Sequence, residues 1–426
     1  MHPESLMMSY GYDPELSEGA VKCPVFQTST FVFKTAEEGK SFFEVAYGIR
    51  DKKPMEELGL IYSRINNPNL EILENRLCLW DKADDCAVFE SGMSAISTVL
   101  LEFLNPGDLL VYSNPTYGGT DHFIQHFLNK IGVHTLGIHP GQTTGEIINA
   151  INNTGKADKL SMIYLETPAN PTNHLFDIEG IKKKVADHYS NIYNKEILMA
   201  VDNTYMGPIW QHPLQHGADI VIYSATKYIG GHSDVIAGAV LGNKEIMNRV
   251  KTLRTFLGNM ISPYTAWLLL RSLETLKIRM DKQAENAQKI ANFLLNQEQI
   301  EKVYYLGHLE KQSPEYAIYK NQCSGPGAMV SFNIRGGEKE AFTFLNNLKL
   351  IKLAVSLGST ESLAQHPYTM THAGVDQEQR DALEITDKMI RLSIGVENAD
   401  DIINDLKAAL SSISTNNLLE KEIVLN

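Results

Sequence analysis

The sequence predicts an α/β protein with a mostly parallel central sheet and a smaller C-terminal α+β domain. Three observations predict it. Apolar runs of strand length, LLVY, LSMIYLE, EILMAVD, DIVIYSA and VIAGAVLG, recur between residues 109 and 242. Helical or turn-rich segments separate several of them, the alternation that builds a parallel sheet covered on both faces. Beyond Pro263 the texture changes: one long helical stretch, TAWLLLRSLETLKIRMDKQAENAQKIANFLLNQ, precedes the strands AMVSFNI and MIRLSIG. The chain therefore divides into an N-terminal arm, 1–66, a central α/β domain, 67–262, and a C-terminal α+β domain, 263–426.

The arm reads as irregular because turn signals fall at Pro14, Gly19, Pro24, Gly48, Pro54 and Gly59. From about Glu71 the alternation begins. ILENRLCLWD reads as a helix and CAVFE as a strand; SGMSAISTVLLEFL reads as a helix stopped by Asn105-Pro106-Gly107. LLVY is a strand, and TDHFIQHFLNKI and IEGIKKKVADHY are helices. No internal repeat is apparent, and the tail after Ser411 carries no pattern.

Bulk properties exclude several functions. A net charge of −13 argues against nucleic-acid binding, and no apolar stretch reaches the roughly 18 residues of a membrane span. The start, MHPESLMMSYGYDPE, lacks the basic and then apolar pattern of a secretory signal. Cys23, Cys78, Cys86 and Cys323 are scattered, which suits a reduced cytoplasmic compartment. His122 and His126 have the i, i+4 spacing of a helical metal pair but lack the HExxH glutamate; a partly exposed helix face is the simpler reading, and no metal is expected.

In open α/β sheets, ligands bind beyond the carboxyl ends of the strands, so chemistry is sought there. Ser91-Gly92-Met93 opens a helix directly after a strand, which makes either an anion site of free amides or an ordinary serine cap. Asp202 ends the buried run ILMAV; a carboxylate there needs a cationic partner, such as a pyridinium nitrogen, or a structural hydrogen-bond cluster. Lys227, 25 residues later in SATKYIGGHSDVIAG, follows the next apolar run, DIVIY, one strand–helix–strand step on, where a partly dry pocket would depress its pKa and make it a Schiff-base nucleophile. Ser224 and Thr226 beside it offer hydroxyls to a phosphate, or to the turn itself. Phosphate cup, pyridinium partner and nucleophilic lysine together describe pyridoxal 5'-phosphate. Tyr117 could stack on such a ring and carry a proton, or be a turn tyrosine. Arg391, inside an apolar strand, needs an anionic partner: an amino-acid carboxylate or a structural ion pair.

These residues also carry a resemblance. QTSTF, YSRINNPN, ESGMSAI, YGGT, ETPANPT, VDNTY, SATKYIGGHSDVIAGAV, AVSLGSTESLAQHP, MTHAGV and RLSIGVE resemble the Cys/Met-metabolism family of pyridoxal-phosphate enzymes over nearly the whole chain. The resemblance implies an aspartate-aminotransferase-like fold (fold type I) whose 67–262 domain binds the cofactor. It implies that Lys227 holds the cofactor and moves protons, that Asp202 pairs with the ring nitrogen, and that Tyr117 stacks on the ring. Gly92 and Met93 would bind the phosphate with Ser224 and Thr226, while Tyr62 and Arg64 would reach the phosphate of a neighbouring subunit in a homotetramer of two dimers. Asn170, Ser356 and Arg391 would face a small amino-acid substrate, with Arg391 on its α-carboxylate.

The expected reaction is elimination on a sulfur-containing amino acid, as in methionine γ-lyase or cystathionine γ-lyase. The alternatives are γ-replacement, as in cystathionine γ-synthase or O-acetylhomoserine sulfhydrylase, and β-elimination, as in cystathionine β-lyase. A catalytically silent homologue is disfavoured by the presence of Lys227, Asp202, Tyr117 and Arg391 together. AVSLGSTESLAQHP, MTH and the apolar Val355 are most like methionine γ-lyases. Gly119, where those enzymes usually carry a cysteine, and RTFLGNMISP point to the cystathionine enzymes. The lead into YSR, FFEVAYGIRDKKPMEELGLI, is longer than usual.

Overall fold

A computed structural model describes residues 1–413 other than 47, 57 and 376; the sequence beyond 413 lies outside the described residues. The central sheet has seven strands: β1 (Asp85–Phe89), β2 (Leu109–Ser113), β3 (His134–Ile138), β4 (Leu160–Glu166), β5 (Leu198–Asp202), β6 (Ile220–Tyr223) and β7 (Gly238–Gly242). Their spatial order is β1-β7-β6-β5-β4-β2-β3. β3, β2, β4, β5 and β6 run parallel, and only β7 lies antiparallel to its neighbours β6 and β1. The expected mostly parallel sheet is therefore present.

The apolar runs are continuous because both faces are buried. Alternate residues Val111, Ile163, Leu165, Met199 and Val201 pack into one apolar cluster. Their neighbours Leu110, Tyr112, Met162, Tyr164 and Ala200 pack into another, against the helix Gly92–Phe103. A one-residue slip of register would exchange these two sets.

The second sheet has five strands, β8 (Ile300–Tyr304), β9 (Met329–Ile334), β10 (Lys352–Leu353), β11 (Leu363–Gln365) and β12 (Met389–Ser393), in the order β10-β11-β12-β9-β8. The long helical stretch preceding it is two helices, Pro263–Leu273 and Leu276–Leu294, parted at Thr275. Arg279 spans the break, donating to the carbonyls of Ser272 (3.1 Å) and Tyr228 (2.9 Å). The first helix packs on Pro68–Asp81, and the apolar cluster they share runs on into Val330, Ile390 and Leu392 of the second sheet.

Two expectations are corrected. The arm is not irregular throughout: Ala36–Ala46 is a helix with Glu37 and Glu38 in its first turn, followed by a loop in which Arg50 bonds Glu44 (3.0 Å), Glu56 and Ser41. Charge in the first turn and the packing of Phe42 against Phe33 override the helix-weakening Gly39. TDHFIQHFLNKI and IEGIKKKVADHY each widen into π-helical turns, at Phe123–Leu128 and Lys182–Ala186. The rings of His122 and His126 lie 4.2 Å apart, and among the described residues no group of three His, Cys, Asp or Glu is placed to hold a metal ion. No described helix is long and apolar enough to cross a membrane.

Candidate active site

A cavity of about 400 Å³ opens at the carboxyl ends of β4, β5 and β6, walled on its far side by the second sheet and its loops. It brings together ten of the residues singled out in the sequence: Gly92, Met93, Tyr117, Asn170, Asp202, Ser224, Thr226, Lys227, Ser356 and Arg391. Tyr62 and Arg64 do not line it; Arg64 donates to the Thr255 carbonyl at 2.8 Å and lies over the Tyr62 ring at 5.9 Å, both at the surface.

Lys227 follows β6 in a tight turn closed by Gly230 N–H on Ala225 O (2.7 Å) and Gly231 N–H on Lys227 O (2.7 Å). Gly231 has φ +67°, and a Cβ there would sit 1.9 Å from the Arg279 guanidinium, so both conformation and space require glycine. Among the described residues the Lys227 ammonium meets only a neutral partner, the Ser356 hydroxyl at 2.9 Å. Burial, and then the charge of Arg391, push its pKa down to about 8. Ser356 itself holds φ +119°, a strained conformation for a residue with a Cβ, of the kind that collects at functional sites.

Asp202 ends β5 and is buried. Its Oδ1 accepts the Thr204 amide (3.0 Å) and its Oδ2 the Tyr164 hydroxyl (3.2 Å), while burial holds its carboxyl above the usual range. The opposite wall is the start of the helix Gly92–Phe103. Ser91 caps it through the Ser94 amide (3.0 Å), the plain structural role, which leaves the amides of Gly92 and Met93 facing the cavity. A Cβ on Gly92 would lie 2.8 Å from Ser224 Cβ, so the Ser224 wall closes tightly on this helix end. Thr226 Oγ1 exchanges bonds with Ala237 (3.2 Å to its carbonyl, 3.0 Å from its amide), so here the turn-bonding role is present.

Arg391, on β12, is 3% exposed. Its Nη1 donates to Asn170 Oδ1 (3.0 Å) and its Nη2 to the Ser356 carbonyl (2.7 Å); both are neutral, and Nε has no partner among the described residues. A buried guanidinium so placed is one anion short.

Several lining residues were not singled out in the sequence: Thr204, Tyr205, Ile236, Thr371 and, most of all, Glu166. Glu166 was visible as a strand-end residue, but its register with Asp202 depends on β4 and β5 being neighbours, which spacing alone does not tell. Gly119 lies under the Tyr117 ring, where an added Cβ would be 2.7 Å from Cε1.

Fold and cavity together define a pyridoxal-phosphate-dependent enzyme: free helix-start amides and hydroxyls for a phosphate, a buried carboxylate for a ring nitrogen and a low-pKa lysine between them fit that cofactor. Over residues 4–411 the chain matches the model of the family described as "Cys/Met metabolism PLP-dependent enzyme". The chain belongs to that family, and pyridoxal 5'-phosphate is its cofactor. It is 40% identical over 397 residues to an L-methionine gamma-lyase of Fusobacterium nucleatum subsp. polymorphum, covering 93% of this chain and 94% of that one. It is 36% identical over 417 residues to a cystathionine gamma-lyase of Bacillus subtilis (strain 168), covering 97% and 100%. The solved structure of cystathionine gamma synthase from Xanthomonas oryzae pv. oryzae, in complex with aminoacrylate and cysteine, superposes with a TM-score of 0.84 at 32% identity over 97% of this chain and 98% of that one.

The lysine's environment sets a pH dependence. Only the neutral amine attacks an aldehyde, so covalent capture of pyridoxal phosphate by cofactor-free protein, trapped with borohydride, should speed up nearly tenfold per pH unit below about 8 and level off above it. An ordinary lysine would instead keep gaining to about pH 10.4.

Proposed function

We propose that the chain is a carbon–sulfur lyase of the γ-eliminating kind, cleaving methionine or cystathionine to 2-oxobutyrate, ammonia and a thiol. The observation that carries this reading is Arg391: buried, bonded only to neutral oxygens and lining the cavity that Lys227 enters, it is built to hold the α-carboxylate of an amino acid. Bound pyridoxal phosphate supplies an electron sink for the substrate's α-carbon. Asn170 and the Ser356 carbonyl orient Arg391, which fixes the substrate by its carboxylate. With the cofactor bound, the Lys227 amine would be placed to take the substrate's Cα proton, a second proton would leave Cβ, and Ser356 would aim the lysine amine. Asp202 would hold the proton on the ring nitrogen, and the amides of Gly92 and Met93 with Ser224 and Thr226 would hold the phosphate. Tyr117 would stack on the ring and give a proton to the departing sulfur.

The resemblance to the methionine and cystathionine gamma-lyases supports elimination. Likeness to a cystathionine gamma synthase supports the second reading, γ-replacement by a thiol. Incubation with L-methionine, L-cystathionine, L-cysteine and O-acetylhomoserine, with and without added thiol, separates them. Release of 2-oxobutyrate without thiol supports elimination; pyruvate as the only keto acid from cystathionine, or turnover only when thiol is added, would overturn it.

The reading includes a cytoplasmic homotetramer, a dimer of dimers, with the arm 1–66 reaching the neighbour and the boundary between the other two parts at 262/263. Tyr62 and Arg64 stand away from their own cavity, as residues that serve a neighbour's phosphate would, and Cys23, Cys78, Cys86 and Cys323 are all free thiols. Arg64→Ala should weaken cofactor retention by roughly tenfold or more. Mixing it with Lys227→Ala should restore activity, since one site of each mixed dimer is then intact. Two variants that stay inactive after confirmed subunit exchange would contradict the shared site.

A further inference from the structure

Glu166 has no part in the roles above, yet it sits between two of them. It ends β4 in register with Asp202 on β5, is 6% exposed and lines the cavity. Its Oε2 accepts two hydrogen bonds from the loop after β2, one from Thr116 Oγ1 (3.0 Å) and one from the backbone amide of Tyr117 (2.6 Å). Its own amide donates to Ser113 Oγ (2.7 Å) at the end of β2, so three hydrogen bonds tie the end of β4 to β2 and the loop after it. The titratable groups around it are Tyr164 on β4, Asp202 on β5, Tyr205 after β5 and Arg391 on β12. Burial, and then the charge of Asp202, push its carboxyl up to about 8, and burial raises the Asp202 carboxyl as well.

Two buried carboxyls side by side do not both ionise, and a ring nitrogen calls for the charge on Asp202. Glu166 is left as a neutral group whose use is its acceptor oxygen. Tyr117, meanwhile, is 48% exposed, and its backbone amide is pinned to that oxygen. The geometry points to Glu166 as a positioning residue: a buried carboxyl that anchors the Tyr117 backbone and thereby places that ring over the cofactor. This rests on the pyridoxal-phosphate reading for its consequence, though not for its contacts.

Glutamine reproduces a protonated glutamate in shape and keeps the acceptor oxygen; alanine removes it. Hydrogen exchange at the Tyr117 amide is therefore to be compared in cofactor-free wild type, Glu166→Gln and Glu166→Ala. Protection should be alike in the first two and weaker by roughly 10- to 100-fold in Glu166→Ala. After loading, the visible circular dichroism of the bound cofactor should persist in Glu166→Gln and shrink in Glu166→Ala, with kcat falling only in the latter. Equal protection in Glu166→Ala, or a Glu166→Gln protein as impaired as Glu166→Ala, would overturn the assignment. Should Glu166→Ala not fold, Glu166→Asp withdraws the carboxyl by one methylene and gives the same contrast. Because exchange is read without cofactor, wild-type protein that fails to take up pyridoxal phosphate counts against the functional reading, and the amide still decides this one.

Discussion

Lys227→Ala is expected to lower kcat/KM by more than roughly 10⁴-fold, since it removes both the covalent attachment point and the base at Cα. Folding should survive. The native amine makes one hydrogen bond, to Ser356, and no ion pair among the described contacts, and burial already disfavours its charge. An alanine therefore deletes an unfavourable group and leaves room in an existing cavity. Far-ultraviolet circular dichroism should match wild type, and cofactor should remain bound but be freely dialysable, because the phosphate and ring contacts are untouched. A variant retaining a tenth of wild-type turnover would remove Lys227 from the chemistry.

Arg391 carries the second large effect. Its two nitrogens reach Asn170 and the Ser356 carbonyl in a fixed fork, and its Nε is left over. Arg391→Lys keeps the charge but not the fork, so kcat/KM for an α-amino acid should fall by roughly 30- to 1000-fold, the loss expected for a buried charged contact of about 2–4 kcal/mol. The loss should fall on substrates bearing a free α-carboxylate, and an α-carboxamide analogue should be affected little. Comparable losses for acid and amide would mean that Arg391 is structural. Cofactor spectra should be unchanged in either case, because its partners lie on the substrate side.

How far the sequence carried these assignments follows from the sheet. Lys227, Asp202, Gly92 and Tyr117 were legible because each closes or follows a buried strand, and a parallel sheet gathers such ends at one edge. Arg391 was legible as a cation inside an apolar strand. What was not legible depends on strand order and on distant loops. Glu166 gains its meaning from lying beside Asp202, and Ile236 and Thr371, though inside the quoted stretches SATKYIGGHSDVIAGAV and MTHAGV, have side chains whose chemistry alone does not mark them as lining a cavity. β3 was passed over because HTLGI, an edge strand with only Ile138 fully buried, shows little apolar contrast. β10 is two exposed residues long and leaves no periodic trace. The helix Ala36–Ala46 was hidden by the turn signals around it, and Phe33–Phe42 packing and the Arg50 cluster add to the first-turn charge of Glu37 and Glu38 in holding it.

The central claim is that Lys227 carries pyridoxal phosphate in a cavity shaped for an α-amino acid. Borohydride reduction of the purified, yellow protein followed by peptide mapping tests it most directly. The account predicts a single modified peptide, with the pyridoxyl group on Lys227, and protection of that site from reduction when L-methionine is added first. A label on another lysine, or a protein that stays colourless and unlabelled after incubation with pyridoxal phosphate, would contradict it.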